Sequence, residues 1–170
     1  MPKAQAVRRL VVAAKEPPDI AAFRKLVRGK SGGGANAYAA LLGLPLLKTP
    51  ELLKRVEAGF PYGVFERFQA NIDLSIEALA TLVQIKRRTL ARRREEGRLT
   101  AEESDRLLRA SRVFGKALAL FEGDADAARS WFSTPAPALG SRTPRDLAAT
   151  ELGVREVENL LGRLEHGVFV

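Results

Sequence analysis

A chain of 170 residues, 46% of them hydrophobic, is long enough for one compact domain or two small ones with a real core. With no cysteine and one histidine it excludes disulfides and thiolate metal sites and leaves little scope for imidazole catalysis or zinc binding. The net charge of +8 is uneven, at +7 over residues 1–70, +3 over 71–99 and −2 over 100–170, so a polyanion is drawn to the N-terminal and central part and the last third is left for a different partner.

The charge split predicts that the two partners engage opposite ends, although arginine-rich helices that merely favour solubility remain an alternative. Residues 1–16 read as a loose basic arm whose apolar stretch, residues 10–14, is too short for a signal-peptide core. No run of about 18 apolar residues occurs, so no membrane helix is expected and a cytoplasmic protein fits. A first helix is expected over 19–28, followed by a flexible Gly29-Lys30-Ser31-Gly32-Gly33-Gly34 linker. The Gly-Lys-Ser is no P-loop: Arg24 stands where the motif needs its first glycine, and no strand precedes it.

Further helices are expected at 36–43, 50–58, 62–70, 75–82, 86–95, 101–122, 125–132, 144–149 and 153–166. Thr49-Pro50 and Thr143-Pro144 place a cap before proline at the first helical position, and Thr100-Ala101-Glu102-Glu103 is a capping box. Alternating β-branched runs are missing, so the chain reads as all-α. Leu107, Phe114, Leu118 and Phe121 share a helical face, as do Val154, Val157, Leu160, Leu161 and Leu164. Three parts follow: a basic arm with helices over 1–60, a helix-turn-helix region over 61–122 and a C-terminal domain over 123–170.

In the centre, the helix at 75–82 is followed by Val83-Gln84-Ile85 as a turn and by Lys86-Arg87-Arg88-Thr89-Leu90-Ala91-Arg92-Arg93-Arg94 as a second helix. Leu79, Leu82, Ile85 and Leu90 supply the core that locks the pair, with Ala80 small where the helices approach. This arrangement resembles the helix-turn-helix of Xre-like regulators. Such a second helix enters the major groove by its first residues, here Lys86, Arg87, Arg88 and Thr89. Arginine pairs bidentately with guanine, and threonine meets a thymine methyl or a phosphate. Arg92, Arg93 and Arg94, a turn later, suit phosphate contacts. A solvated basic face on a structural helix is the plain alternative. One departure stands out: Gln84 holds the turn position usually given to glycine, which bears on turn geometry and so on DNA docking.

The last forty residues carry the longest pattern. Trp131, Pro137, Leu139, Gly140, Thr143-Pro144, Asp146-Leu147, Glu151, Gly153, Val157, Leu160-Leu161-Gly162 and Glu165-His166-Gly167 occur in order. Together they resemble the C-terminal toxin-binding domain of Xre/MbcA/ParS-type antitoxins. The resemblance implies a small helical toxin-binding domain behind the helix-turn-helix. It also implies a protein toxin as partner, usually of the RES-domain, NAD-consuming type, and autorepression of the operon by a dimer on operator DNA. Homodimers and hetero-oligomers with the toxin are expected, with no cofactor. Arg155, Glu158 and Arg163 on polar faces, His166 in the last turn, and the apolar Val168-Phe169-Val170 tail are the candidate toxin contacts; His166 bonding the last carbonyls and a tail folded on its own core are the structural alternatives. Trp131 and Phe132 suit either core anchoring or a partner. A stand-alone helix-turn-helix regulator whose C-terminal domain only dimerises is the competing function. Catalysis has no support, because no carboxylate pair, nucleophile-base pair or metal-ligand spacing stands out.

Overall fold

The computed structural model describes residues 18–28 and 35–167. In chain order these form α1 (Pro18–Arg28), a 3-10 helix (Ala37–Leu42), α2 (Thr49–Ala58), α3 (Tyr62–Ile72), α4 (Ile76–Leu82) and α5 (Arg87–Glu96). There follow α6 (Ala101–Leu120), α7 (Ala125–Ser133), a 3-10 turn (Pro137–Leu139), α8 (Pro144–Leu147) and α9 (Glu151–Glu165). The described residues contain no strand, only two isolated bridges, Pro61 with Arg98 and Ala136 with Arg142. The all-α reading stands. The basic arm, the glycine linker and the Val168-Phe169-Val170 tail lie outside the described residues.

Helix starts follow local chemistry. Ser75 Oγ accepts from the Ala78 amide, Thr143 Oγ1 from Asp146 and Thr150 Oγ1 from Gly153. The capping box is complete: Thr100 Oγ1 accepts from the Glu103 amide, and the Glu103 carboxylate accepts from the Thr100 amide at 2.8 Å. The segment expected as an α-helix at 36–43 is instead a 3-10 helix. It is short, ends at Gly43 with φ 67°, and the Asn36 side chain donates to Leu47 O and Thr49 Oγ1 instead of capping it.

α6 is the axis of the molecule. Leu107, Phe114 and Leu118 are fully buried along one face, as expected, and Phe121 lies partly buried at its end. Phe114 meets Phe68 of α3 edge-on at 6.4 Å and Phe132 of α7 at 5.7 Å. Phe132 is therefore a core anchor, while Trp131 is half-buried against Phe121. One contiguous apolar core runs from Ile20 in α1 to Leu161 in α9, so α6 packs against both the N-terminal helices and the C-terminal ones.

A polar knot ties α1, α3 and α7 together. Arg67 donates through Nε and Nη2 to the two Asp19 carboxylate oxygens at 2.7 and 2.9 Å, and Asn71 Nδ2 donates to Asp19 and to Leu41 O. Arg129 closes it by donating to Asn71 O. Burial alone lifts the Asp19 carboxyl, but the hydrogen bonds from Arg67 and Asn71 outweigh it and hold its pKa below the ordinary carboxylate value. A depressed folded-state pKa stabilises fully above the unfolded value of about 3.9, and that stabilisation is lost as pH falls through the folded value. Between about pH 5 and pH 3 the wild type should lose melting temperature more steeply than Asp19→Asn. Parallel slopes in calorimetry would remove Asp19 from the acid response.

Candidate DNA-reading and toxin-binding surfaces

α4 and α5 meet as a helix-turn-helix. Leu79, Leu82, Ile85 and Leu90 are all buried, and so is Ala80 at the close approach. α4 ends in a Schellman motif: the Ile85 amide donates to Ala80 O at 2.8 Å and the Gln84 amide to Thr81 O at 3.1 Å. This motif needs a left-handed residue, and Gln84 supplies it with φ 55°. A non-glycine residue there costs about 1–2 kcal/mol. Two tertiary attachments hold it. Arg106 of α6 donates through Nη1 to Val83 O and Gln84 O at 3.3 and 3.2 Å. The Gln84 Nε2 donates to Ala149 O at 2.8 Å. The turn therefore closes without glycine.

The charges of α5 divide into two groups. Lys86, Arg87, Arg88 and Arg94 are exposed and make no ion pair among the described residues, and Thr89 is half-buried beside them. Arg92 is exposed and lies 3.6 Å from Glu96. Arg93 is placed differently. Only 13% of its side chain is exposed, and it donates at 2.8 Å both to Glu103 at the start of α6 and to Glu96. Burial raises the Glu103 pKa, but bonds from Arg93 and Thr100 outweigh that and keep it low, so the ion pair is held charged. Arg93 therefore fixes α5 to α6 and is not available to a phosphate in this conformation. A groove of about 760 Å³ lies between α4 and α5, floored by Tyr62, Ile76, Ala80 and Leu90 and rimmed by Arg87 and Arg94.

α9 lays Val154, Val157, Leu160 and Leu161 into the core, with Leu164 partly buried. Of the polar candidates on it, Arg155 is exposed and pairs loosely with Glu151 at 3.4 Å. Arg163 and His166 are exposed, and the His166 amide donates to Gly162 O as the helix ends. Glu158 differs: its carboxylate accepts from Arg112 Nε at 2.8 Å and from Lys116 Nζ at 3.1 Å and is only 19% exposed. It binds α9 to α6. Leu152, 73% exposed at the first turn of α9, is an apolar side chain on this surface that periodicity did not single out.

The described residues hold no helix long and apolar enough to cross a membrane. No cluster of three or more histidine, aspartate or glutamate side chains gathers among them as a metal site would require. What they form is a helix-turn-helix joined through one long helix to a small helical unit with an exposed polar face. Residues 51–112 match the family model of the antitoxin Xre-like helix-turn-helix domain. Residues 116–167 match that of the antitoxin Xre/MbcA/ParS C-terminal toxin-binding domain. Antitoxin Xre of Yersinia enterocolitica is 40% identical over 75% of this chain and 87% of its own length. Antitoxin Xre of Photorhabdus laumondii is 34% identical over 79% and 91%, and that of Pseudomonas putida 31% identical over 79% and 86%. The chain belongs to the Xre antitoxin family, with a DNA-binding helix-turn-helix domain and a toxin-binding domain. The two matched spans adjoin inside α6, so the domains share that helix.

Sequence reasoning overlooked Arg106 and Glu103 as supports of the turn and of α5. Glu103 had a local signal, its place in the capping box. Arg106 had none, because its partners lie 22 and 23 residues away.

Proposed function

We propose that this protein neutralises a RES-domain, NAD-consuming toxin through α9 and the residues after it, and represses its own operon as a dimer through α5. It acts as a regulator and not as an enzyme. The observation that carries the reading is the pairing of two matched domains in one chain, one for DNA and one for a toxin. On α5, Lys86, Arg87 and Arg88 present cations at the helix start, where a major-groove helix touches bases, and Arg92 and Arg94 suit phosphates. Arg93 stays with Glu103. On α9, Arg155, Arg163 and His166 form the exposed polar face, while Glu158 serves it indirectly by holding the helix.

Phe169, flanked by Val168 and Val170, supplies the apolar contact that enters the toxin, worth about 1.5–3 kcal/mol if fully covered. Co-expression with candidate RES-domain toxins, followed by co-purification, tests the function: a stable stoichiometric complex and rescued growth are expected. A protein that binds DNA but captures none of these toxins would fit a stand-alone regulator instead. Deleting residues 167–170 should leave melting temperature and DNA binding unchanged and weaken toxin inhibition. Wild-type inhibition by the truncated protein would assign the tail to packing.

A further inference from the structure

We propose that Gln84 is a positioning residue for α5, and that it makes the setting of this helix depend on the α8–α9 junction of the toxin-binding domain. The proposal rests on the reading of α5 as the DNA-contacting element. The turn before α5 is short, so any shift of Val83, Gln84 and Ile85 carries Lys86, Arg87 and Arg88 with it. Arg106 grips the turn by its main-chain oxygens, and the Gln84 amide grips it from the other side by donating to Ala149 O at 2.8 Å. Between α4 and α8 lies a cleft of about 350 Å³, with Ala78, Thr81 and Leu82 on one side and Arg145, Asp146 and Ala149 on the other. Beside that cleft the Gln84 side chain reaches from the turn to Ala149.

Ala149 is not an arbitrary anchor. It sits between Ala148, where α8 ends, and Thr150, whose hydroxyl caps α9 by accepting from the Gly153 amide. The Thr150 amide donates to Leu147 O, and Gly153 lies directly against that same carbonyl. A displacement of the α9 start must therefore move Leu147 or Thr150, and Ala149 lies between them. The left-handed φ of Gln84 fits this role. A position where glycine closes the motif more easily holds instead a side chain long enough to reach the other domain. A load on α9 thus reaches α5 through a contiguous chain of main-chain contacts and one amide.

A double-mutant cycle on the full chain tests this. Thr150→Ala removes the α9 cap. Gln84→Gly keeps the positive φ and removes the amide. The probe is a labelled duplex of the DNA upstream of the protein's own gene, and the second readout is hydrogen exchange of the amides of residues 90–96. Thr150→Ala alone should weaken duplex binding by on the order of threefold and speed exchange in α5. In the Gln84→Gly background it should do neither, and Thr150→Ser, which keeps the cap, should behave as wild type. Equal effects of Thr150→Ala in both backgrounds, or none in either, would overturn the proposal. If the wild type does not bind the duplex, the DNA reading fails, and exchange in α5 still decides whether Gln84 couples the domains.

Discussion

Replacing Gly153 by alanine is expected to unseat the start of α9 and abolish toxin neutralisation. A Cβ built on Gly153 would lie 2.0 Å from Leu147 O and 2.7 Å from its carbonyl carbon. Both are main-chain atoms of α8, so no rotamer change can relieve the clash. The Gly153 amide is also the donor that Thr150 caps, and Leu147 O already accepts from the Thr150 amide. Moving either side therefore breaks hydrogen bonds as well as packing. Ordinary overpacking costs about 1–3 kcal/mol, and a main-chain clash stands at or above the top of that range. For a protein of this size the melting temperature should fall by roughly 5–10 °C. Duplex binding should also weaken, through Ala149 and Gln84, but less than toxin capture, because residues 51–112, which carry the helix-turn-helix match, contain neither partner of the clash. A variant with wild-type melting temperature and full neutralisation would show that α8 and α9 do not pack this closely.

Gly153 was legible in the sequence as part of a family-like pattern, but its reason was not. The reason is the approach of α8 to α9, which depends on a turn and not on helical periodicity. Where function hangs on local chemistry, the sequence spoke clearly. Ser75, Thr100 and Thr143 cap the helices they precede, as read, whereas Thr49 lies inside α2 behind Lys48 at the cap, and its hydroxyl accepts from Asn36. The stripes of α6 and α9 face the core because period 3.6 leaves them no other common side. Charges were harder. Arg93 and Arg94 are neighbours of the same type, yet one is tied to Glu103 and the other is exposed. Which of them turns inward depends on the angle between α5 and α6. Glu158 read as a polar surface residue for the same reason: its partners Arg112 and Lys116 lie on another helix, more than 40 residues away. Gln84 looked like a defect in the turn. It closes the turn in glycine's conformation, with support from α6 and from a carbonyl 65 residues away. A boundary after residue 122 follows the helix stop at Gly123; across it α6 packs on both sides, and Phe114 touches aromatic rings from α3 and from α7.

The Arg87→Ala, Arg88→Ala double variant should lose most of its specific DNA affinity while keeping its fold. Both side chains are exposed and make no ion pair among the described residues, so their truncation removes nothing that α5 needs. Each arginine that pairs with a base contributes about 1–3 kcal/mol of discrimination, so losing two should weaken specific binding by roughly thirtyfold to twenty-thousandfold. The loss should be greatest on the specific duplex, and the salt dependence should also become shallower because two cations leave the interface. Arg93→Ala offers the contrasting case. It removes one charge from the same helix but leaves Glu103, only 8% exposed, without its main partner. Breaking a fully buried pair costs about 3–5 kcal/mol. Here the cost is smaller, because Glu103 keeps its bond from the Thr100 amide. Arg93→Ala should therefore lower the melting temperature and disturb the junction of α5 with α6, with DNA binding falling as a consequence of that change. Calorimetry and duplex titration on the two variants separate the roles. Unchanged affinity and salt slope in the Arg87, Arg88 variant would remove the start of α5 from the DNA interface. A stable Arg93→Ala protein with a selective DNA defect would place Arg93 there instead.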